Sequence, residues 1–168
     1  MTLPIKIFPD QVLRRPTEPV SFPLTKDMLK LTQDMMDTVR KADGIGLAAP
    51  QVGRSVKLVV INLEKSGVPL FALYNPRIVA KSLKKVAIEE GCLSIPHVFG
   101  LVKRPKKVTV VAQNMKGEEI KFTDDGWVSR VVQHEIDHIN GKLIIDYIKN
   151  YSQGQEIVDE WKKDKLIS

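Results

Sequence analysis

Two of the three histidines in this 168-residue chain stand four residues apart, with a glutamate after the first, in Gln133-His134-Glu135-Ile136-Asp137-His138. On an α-helix, positions i and i+4 share a face, so His134 and His138 can aim their imidazoles at one point. Such a point suits a divalent metal ion, and a carboxylate beside it can serve as general base toward an activated water. The chemistry indicated is metal-assisted hydrolysis, with Glu135 as the base. A hydrolytic site of this type needs a third protein ligand and one open position. Cys92, the only cysteine, lies in Glu90-Gly91-Cys92-Leu93-Ser94. Its thiolate would suit iron, zinc, cobalt or nickel. Taken alone, Cys92 also reads as a small buried hydrophobe, or as a nucleophile served by a histidine base.

A third segment is Gly44-Ile45-Gly46-Leu47-Ala48-Ala49-Pro50-Gln51. Its glycines allow backbone conformations closed to other residues and let a ligand approach the main chain. Gln51 adds a side-chain N–H that can stabilise a developing oxyanion. Gly44 also reads as the cap of a preceding helix. The glycine spacing, with no lysine after it, excludes a phosphate-binding loop.

These residues need elements to position them. Val128, Val131, Val132, Ile136 and Ile139 form an apolar stripe on a helix through the histidines. Asp124 and Asp125 offer N-cap oxygens ahead of it, and Gly141 follows Asn140 as its C′ residue. Upstream, Pro4, Pro9, Pro16, Pro19 and Pro23 make residues 1–23 an extended, wrapping segment. Thr25 caps a helix running to about Ala42, with Met28, Leu31, Met35 and Val39 as its inner face. Residues 56–61, 70–74, 77–80 and 86–89 read as strands, with turns at Ser66-Gly67 and Asn75-Pro76. Residues 108–112 and 119–122 read as a hairpin around residues 114–117. An apolar stretch, 143–148, leads to a final helix, for which Ser152 and Gln155 have the capping-box spacing. Ile157, Trp161 and Leu166 on that helix could dock on the domain or bind a partner. The expected architecture is a single α+β domain over residues 1–168, with antiparallel strands around a central metal-binding helix and a C-terminal helix. The metal would sit where the central helix meets the strand carrying Cys92.

Apolar content of 43% and charged content of 27% are those of a globular protein. No run of 18 apolar residues exists to span a membrane, and the N-terminal residues resemble neither a signal nor a transit peptide. One cysteine forms no internal disulfide, so the expected location is cytoplasmic. The net charge of +6 includes clusters at Lys81, Lys84 and Lys85 and at Lys103, Arg104, Lys106 and Lys107. Without interleaved aromatics these read as a solvated basic face before a single-strand binding surface.

The three segments Gly-Ile-Gly-Leu-Ala-Ala-Pro-Gln, Glu-Gly-Cys-Leu-Ser and Gln-His-Glu-Ile-Asp-His, in this order and at these spacings, resemble the three motifs of bacterial peptide deformylase. The resemblance covers nearly the whole chain from about Ile5. It implies that Cys92, His134 and His138 hold one divalent ion, ferrous iron natively, with zinc, nickel or cobalt able to replace it. Glu135 would move the proton, while the Gln51 side chain and the backbone N–H of Leu93 would hold the oxyanion. The implied substrates are N-formylmethionyl nascent peptides, and the implied products formate and a free N-terminal methionine. Ile45 and Gly46 would pair with the peptide backbone, and the methionine would enter an apolar pocket near Ile45, Val131 and His134. Glu90 would pair with Arg104. Lys103 and Phe99 depart from the family pattern, where proline and arginine are frequent, and bear on the rim of the substrate groove. His97 lies in that rim, exposed and outside the metal set. A ribosome contact would use the C-terminal helix and basic surface. Two rival classes are a zinc endopeptidase of the same His-Glu-x-x-His type and a non-enzymatic basic ribosome-binding module. The first needs a downstream third ligand and has no use for Cys92. The second needs no full metal set.

Overall fold

The structure is a computed structural model and describes residues 1–167. The prolines keep the first two dozen residues free of long helix, with only a 3₁₀ turn, Gln11–Arg14, capped by the Asp10 side chain. This segment is strapped to the body by backbone bonds: Lys6 N–H donates to Gln51 O at 2.7 Å and Phe8 N–H to Ser94 O at 2.8 Å. Helix α1, Lys26–Lys41, begins at Thr25, whose hydroxyl accepts from Met28 N, and buries Leu31, Met35 and Val39 as its periodicity predicts. Its end differs from the expectation. The left-handed residue is Asp43, at φ 53°, and not Gly44. Gly44 is constrained by space instead, since a Cβ there would come within 2.9 Å of the Leu93 side chain.

Two antiparallel sheets follow. The larger has the order β1-β2-β3-β6-β7, from β1 (Gly46–Ala48), β2 (Leu58–Leu63), β3 (Val68–Lys81), β6 (Val108–Gln113) and β7 (Glu119–Asp124). The smaller has the order β4-β5-β8, from β4 (Lys85–Cys92), β5 (Ile95–Pro105) and β8 (Tyr151–Gln153). The hairpin expected at 108–122 is β6–β7, in register from Val108↔Asp124 to Gln113↔Glu119. The strands expected at 70–74 and 77–80 are one strand, β3. Asn75-Pro76 is a bulge inside it, with Asn75 at φ 52° and its side-chain amide exchanging hydrogen bonds with the Val20 backbone. Strand β5 has no counterpart in the sequence reading. Its inner residues Ile95, Val98, Val102 and Arg104 are buried, but exposed Phe99 and Leu101 and a buried Gly100 blur the alternation.

Helix α2, Trp127–Ile139, is capped from farther out than expected: Gly126 is the N-cap residue, and Asp124 Oδ2 accepts from both Gly126 N and Ser129 N. Asp125 faces Lys106 at 3.6 Å instead of capping. Gly141, at φ 70°, ends the helix as expected. Helix α3, Gln155–Lys163, has no capping box. Ser152 belongs to β8, and Gly154 at φ 80° starts the helix. Val131, Val132, Ile136 and Ile139 of α2 pack on Val59, Ile61, Leu73 and Val110 of the larger sheet. Each such side chain, fully buried, contributes about 1.5–3 kcal/mol. A separate apolar core joins β5 to Leu143, Ile144, Phe8 and Val158 of α3. Trp161 packs edge-on to Phe8 at 4.8 Å, so α3 docks on its own chain, while Leu166 is exposed. Among the described residues, no helix is long and apolar enough to cross a membrane.

Candidate metal centre

Strand β4 delivers Cys92 at its end, and α2 presents His134 and His138 from one face. Their donor atoms all lie within 4.8 Å of one another. Cys92 Sγ is 3.2 Å from His138 Nε2, and the two Nε2 atoms are 3.2 Å apart. Around a tetrahedral ion with M–N of roughly 2.0–2.1 Å and M–S of roughly 2.3 Å, donors sit about 3.3–3.6 Å from each other. The set therefore fits a divalent ion by size, by donor type and by convergence. His134 Nδ1 faces Glu90 Oε2 at 3.0 Å, the carboxylate–imidazole contact that orients a ligand and leaves its other nitrogen free to bind. Burial, followed by the neighbouring His134, pushes His138 well below its ordinary value, whereas for His134 hydrogen bonds with Cys92 and Glu90 outweigh burial and raise it.

Glu135 is 3% exposed, and its Oε2 is a buried oxygen without a hydrogen-bond partner among the described residues. Burial pushes its carboxyl up to about 7, against the opposing charges of His134 and Arg104. It lines a cavity of about 480 Å³ shared with Ile45, Gln51, Leu93, Phe99 and Val131. Gln51 points its amide N–H toward Cys92 Sγ, 3.6 Å away, and Ser94 Oγ, 3.2 Å away, while its Oε1 accepts from Ala48 N at 2.8 Å. Strand β1 runs across Glu135 so closely that a Cβ on Gly46 would collide with Glu135 Oε1 and with Val131. Phe99 lies over Gly91 and lines the cavity. Lys103 alternates with buried Arg104 along β5 and faces the other way. His97 is exposed, at φ 65°, and outside the donor cluster.

Glu90 and Arg104 pair as expected, with both guanidinium contacts short, at 2.6 and 2.9 Å. Burial would raise Glu90, but hydrogen bonds from His134 and Arg104 outweigh it and hold the carboxyl well below the usual range. Arg104 also donates to Asp137 Oδ2 at 2.6 Å. One buried member of this network escaped the sequence reading. Arg130 donates to Glu90 Oε1, to Val102 O and to Val86 O at 2.8–3.0 Å. Its signal was an arginine inside an apolar stripe, four residues before His134 and so on the same face.

The profile described as polypeptide deformylase matches residues 2–154. A peptide deformylase of Halothermothrix orenii is 42% identical over 156 residues, covering 93% of this chain and 98% of that protein. One of Desulfotalea psychrophila is 40% identical over 164 residues, covering 95% and 96% respectively. Among solved structures, the peptide deformylase of Thermotoga maritima matches with a TM-score of 0.83 at 39% identity, over 89% of this chain and 99% of that one. The Synechococcus elongatus peptide deformylase in complex with actinonin matches with a TM-score of 0.84 at 37% identity, over 99% of this chain and 87% of that one. The matched residues include both sheets and helix α2, and the chain belongs to the polypeptide deformylase family.

Proposed function

We propose that this chain, acting as one domain over residues 1–168, removes the formyl group from the N-terminal methionine of newly made polypeptides and releases formate. The observation that carries the reading is the convergence of Cys92, His134 and His138 beside the buried Oε2 of Glu135, which has no hydrogen-bond partner among the described residues, with Cys92, His134 and Glu135 lining one cavity. A divalent ion held there would supply Lewis acidity toward water and the formyl oxygen. We assign that ion as ferrous iron on the resemblance to the family, with zinc, nickel or cobalt as substitutes, since one thiolate and two imidazoles suit each of them. Glu135 accepts the proton of the attacking water and delivers it to the leaving amine. The Gln51 amide and the Leu93 backbone N–H stabilise the oxyanion. Among the described residues β1 pairs with β2 alone, and Ile45 just before it is exposed, so the edge at Ile45 and Gly46 would take an extended peptide. Val131 and the stem of Ile45 supply apolar wall for a methionine side chain, and Glu90 orients His134.

Such an enzyme works in the cytoplasm, on chains leaving the ribosome. A ribosome contact through α3 would use its charged outer face, since Ile157 and Trp161 are engaged by the chain's own core. The endopeptidase alternative loses its third ligand: Glu156 and Glu160 are exposed on α3, and the converging donor is Cys92.

The test is formate release from a formyl-methionyl peptide by protein purified without oxygen. Chelation should abolish release and open Cys92 to alkylation, and added ferrous or nickel ion should restore both activity and protection. Full activity in metal-free protein, inhibited only by alkylation of Cys92, would establish a cysteine nucleophile instead. Internal cleavage of the peptide would mark an endopeptidase, and no turnover with no bound metal a binding module.

Gly46→Ala should be costly at the same site. The added methyl must displace the Glu135 carboxylate or Val131, at about 1–3 kcal/mol of overpacking. A displacement near 1 Å costs turnover on the order of 10²-fold. Near-normal formate release by this variant would show that the approach of β1 to Glu135 is not needed.

A further inference from the structure

The three donors come from parts of the chain with separate apolar cores. His134 and His138 ride on α2, which packs on β1 and β2 of the larger sheet. Cys92 ends β4 of the smaller sheet, whose apolar core is built separately, with Phe8, Leu143 and α3. Between these two bodies the link from α2 to β4 and β5 runs through buried polar side chains. Arg104 holds carboxylates, Glu90 and Asp137, and grips no main chain. Arg130 takes hold of the backbone of both strands: Nη2 donates to Val86 O of β4 at 2.8 Å, and Nη1 to Val102 O of β5 at 3.0 Å, whereas Gln133 of α2 reaches only the end of β5, at Pro105 O, 3.0 Å away. The same Nη1 also reaches Glu90 Oε1 at 2.9 Å, and Glu90 in turn holds His134. One planar fork thus fixes both strands and the orienting carboxylate to the helix, one turn before the first histidine.

We propose that Arg130 is a positioning residue for the metal centre: it sets the distance between the Cys92 strand and the histidine helix before the ion arrives. The inference rests on the assignment of Cys92, His134 and His138 as ligands. A site held at its final spacing binds without first ordering the two bodies, and it releases slowly because one ligand cannot drift away while the others hold. Without the clamp, Cys92 is the ligand that strays, since its sheet meets α2 through polar side chains and shares no apolar core with it.

The test is the rate at which nickel-loaded protein yields its ion to a chelator, with the thiolate absorption of the cobalt-loaded form as a second readout. Arg130→Met removes all three bonds at similar length. Arg130→Lys keeps the charge but not the fork. Val158→Ala, in the apolar core against which Cys92 also packs, weakens that core without touching the clamp and is the stability control. Both Arg130 variants should release nickel about 10–100-fold faster, the usual cost of losing an outer partner of a metal site. They should also show altered cobalt–thiolate absorption, while Val158→Ala lowers the melting temperature and keeps the wild-type release rate. Wild-type release from the Arg130 variants, or equal acceleration in Val158→Ala at a matched melting temperature, would overturn the proposal. If Arg130→Met does not fold, Arg130→Lys decides by the same criteria. Failure of the wild-type chain to bind nickel at all would instead remove the ligand assignment beneath it.

Discussion

Glu135→Gln keeps its metal and loses formate release by roughly 10²–10⁴-fold, the range that general acid–base help supplies. The two halves of this expectation come from different facts. Metal is retained because the carboxylate is no member of the converging donor set, which is Cys92, His134 and His138. Turnover is lost because the amide has the shape of the carboxylate but cannot take a proton from water. The site is built around that oxygen: Glu135 is 3% exposed, and Oε2 has no partner among the described residues. Metal content by elemental analysis and formate release on the same sample check both halves. Near-normal release from the metal-loaded variant would remove Glu135 from the proton's path.

His134→Ala loses the metal itself. Removing even an outer-shell partner costs about 10–100-fold in affinity, and a missing ligand exceeds that. Cys92 and His138 remain, but no other imidazole can take the place of the lost one, since His97, the remaining histidine, is exposed and outside the cluster. The variant also leaves Glu90 Oε2 without its imidazole partner, though Arg104 still pairs that carboxylate. Elemental analysis after dialysis should show well under one ion per chain, with formate release at background. Stoichiometric metal in this variant would refute the ligand set.

The parts of the site that sequence made legible were those with a short, fixed period. Two histidines four apart on an apolar helix must share a face, and Glu135 beside them follows from the same geometry. The placement of Cys92 needed the resemblance, because nothing in its own neighbourhood distinguishes a ligand from a buried thiol. Arg130 was hidden for the opposite reason. Its position on the helix was plain, but its partners are backbone carbonyls of Val86 and Val102, and carbonyls carry no residue identity. Strand β5 escaped because Phe99 and Leu101 are apolar on its open side, and a two-residue period is seen only when the outer residues are polar. Strands β1 and β8, three residues each, are too short to show a period at all. At Asn75-Pro76 the turn chemistry was real, but the Val20 backbone bonds to the asparagine turned it into a bulge within a longer strand.

The strap formed by the first residues reaches further than its position suggests. Lys6 N–H holds the carbonyl of Gln51, and Phe8 N–H holds that of Ser94, the residue after Leu93. The two residues proposed to receive the oxyanion come from segments about forty positions apart, yet each is tied to, or adjoins a residue tied to, the same short piece of chain. Two residues of extended backbone span at most roughly 7 Å, so this piece acts as a gauge between the two donors. A tag, a deletion or a substitution at residues 5–9 would touch none of the three motifs and would still alter the gap between those donors. The amino-terminal end of this chain is, in that sense, a spacer between the two residues proposed to receive the oxyanion.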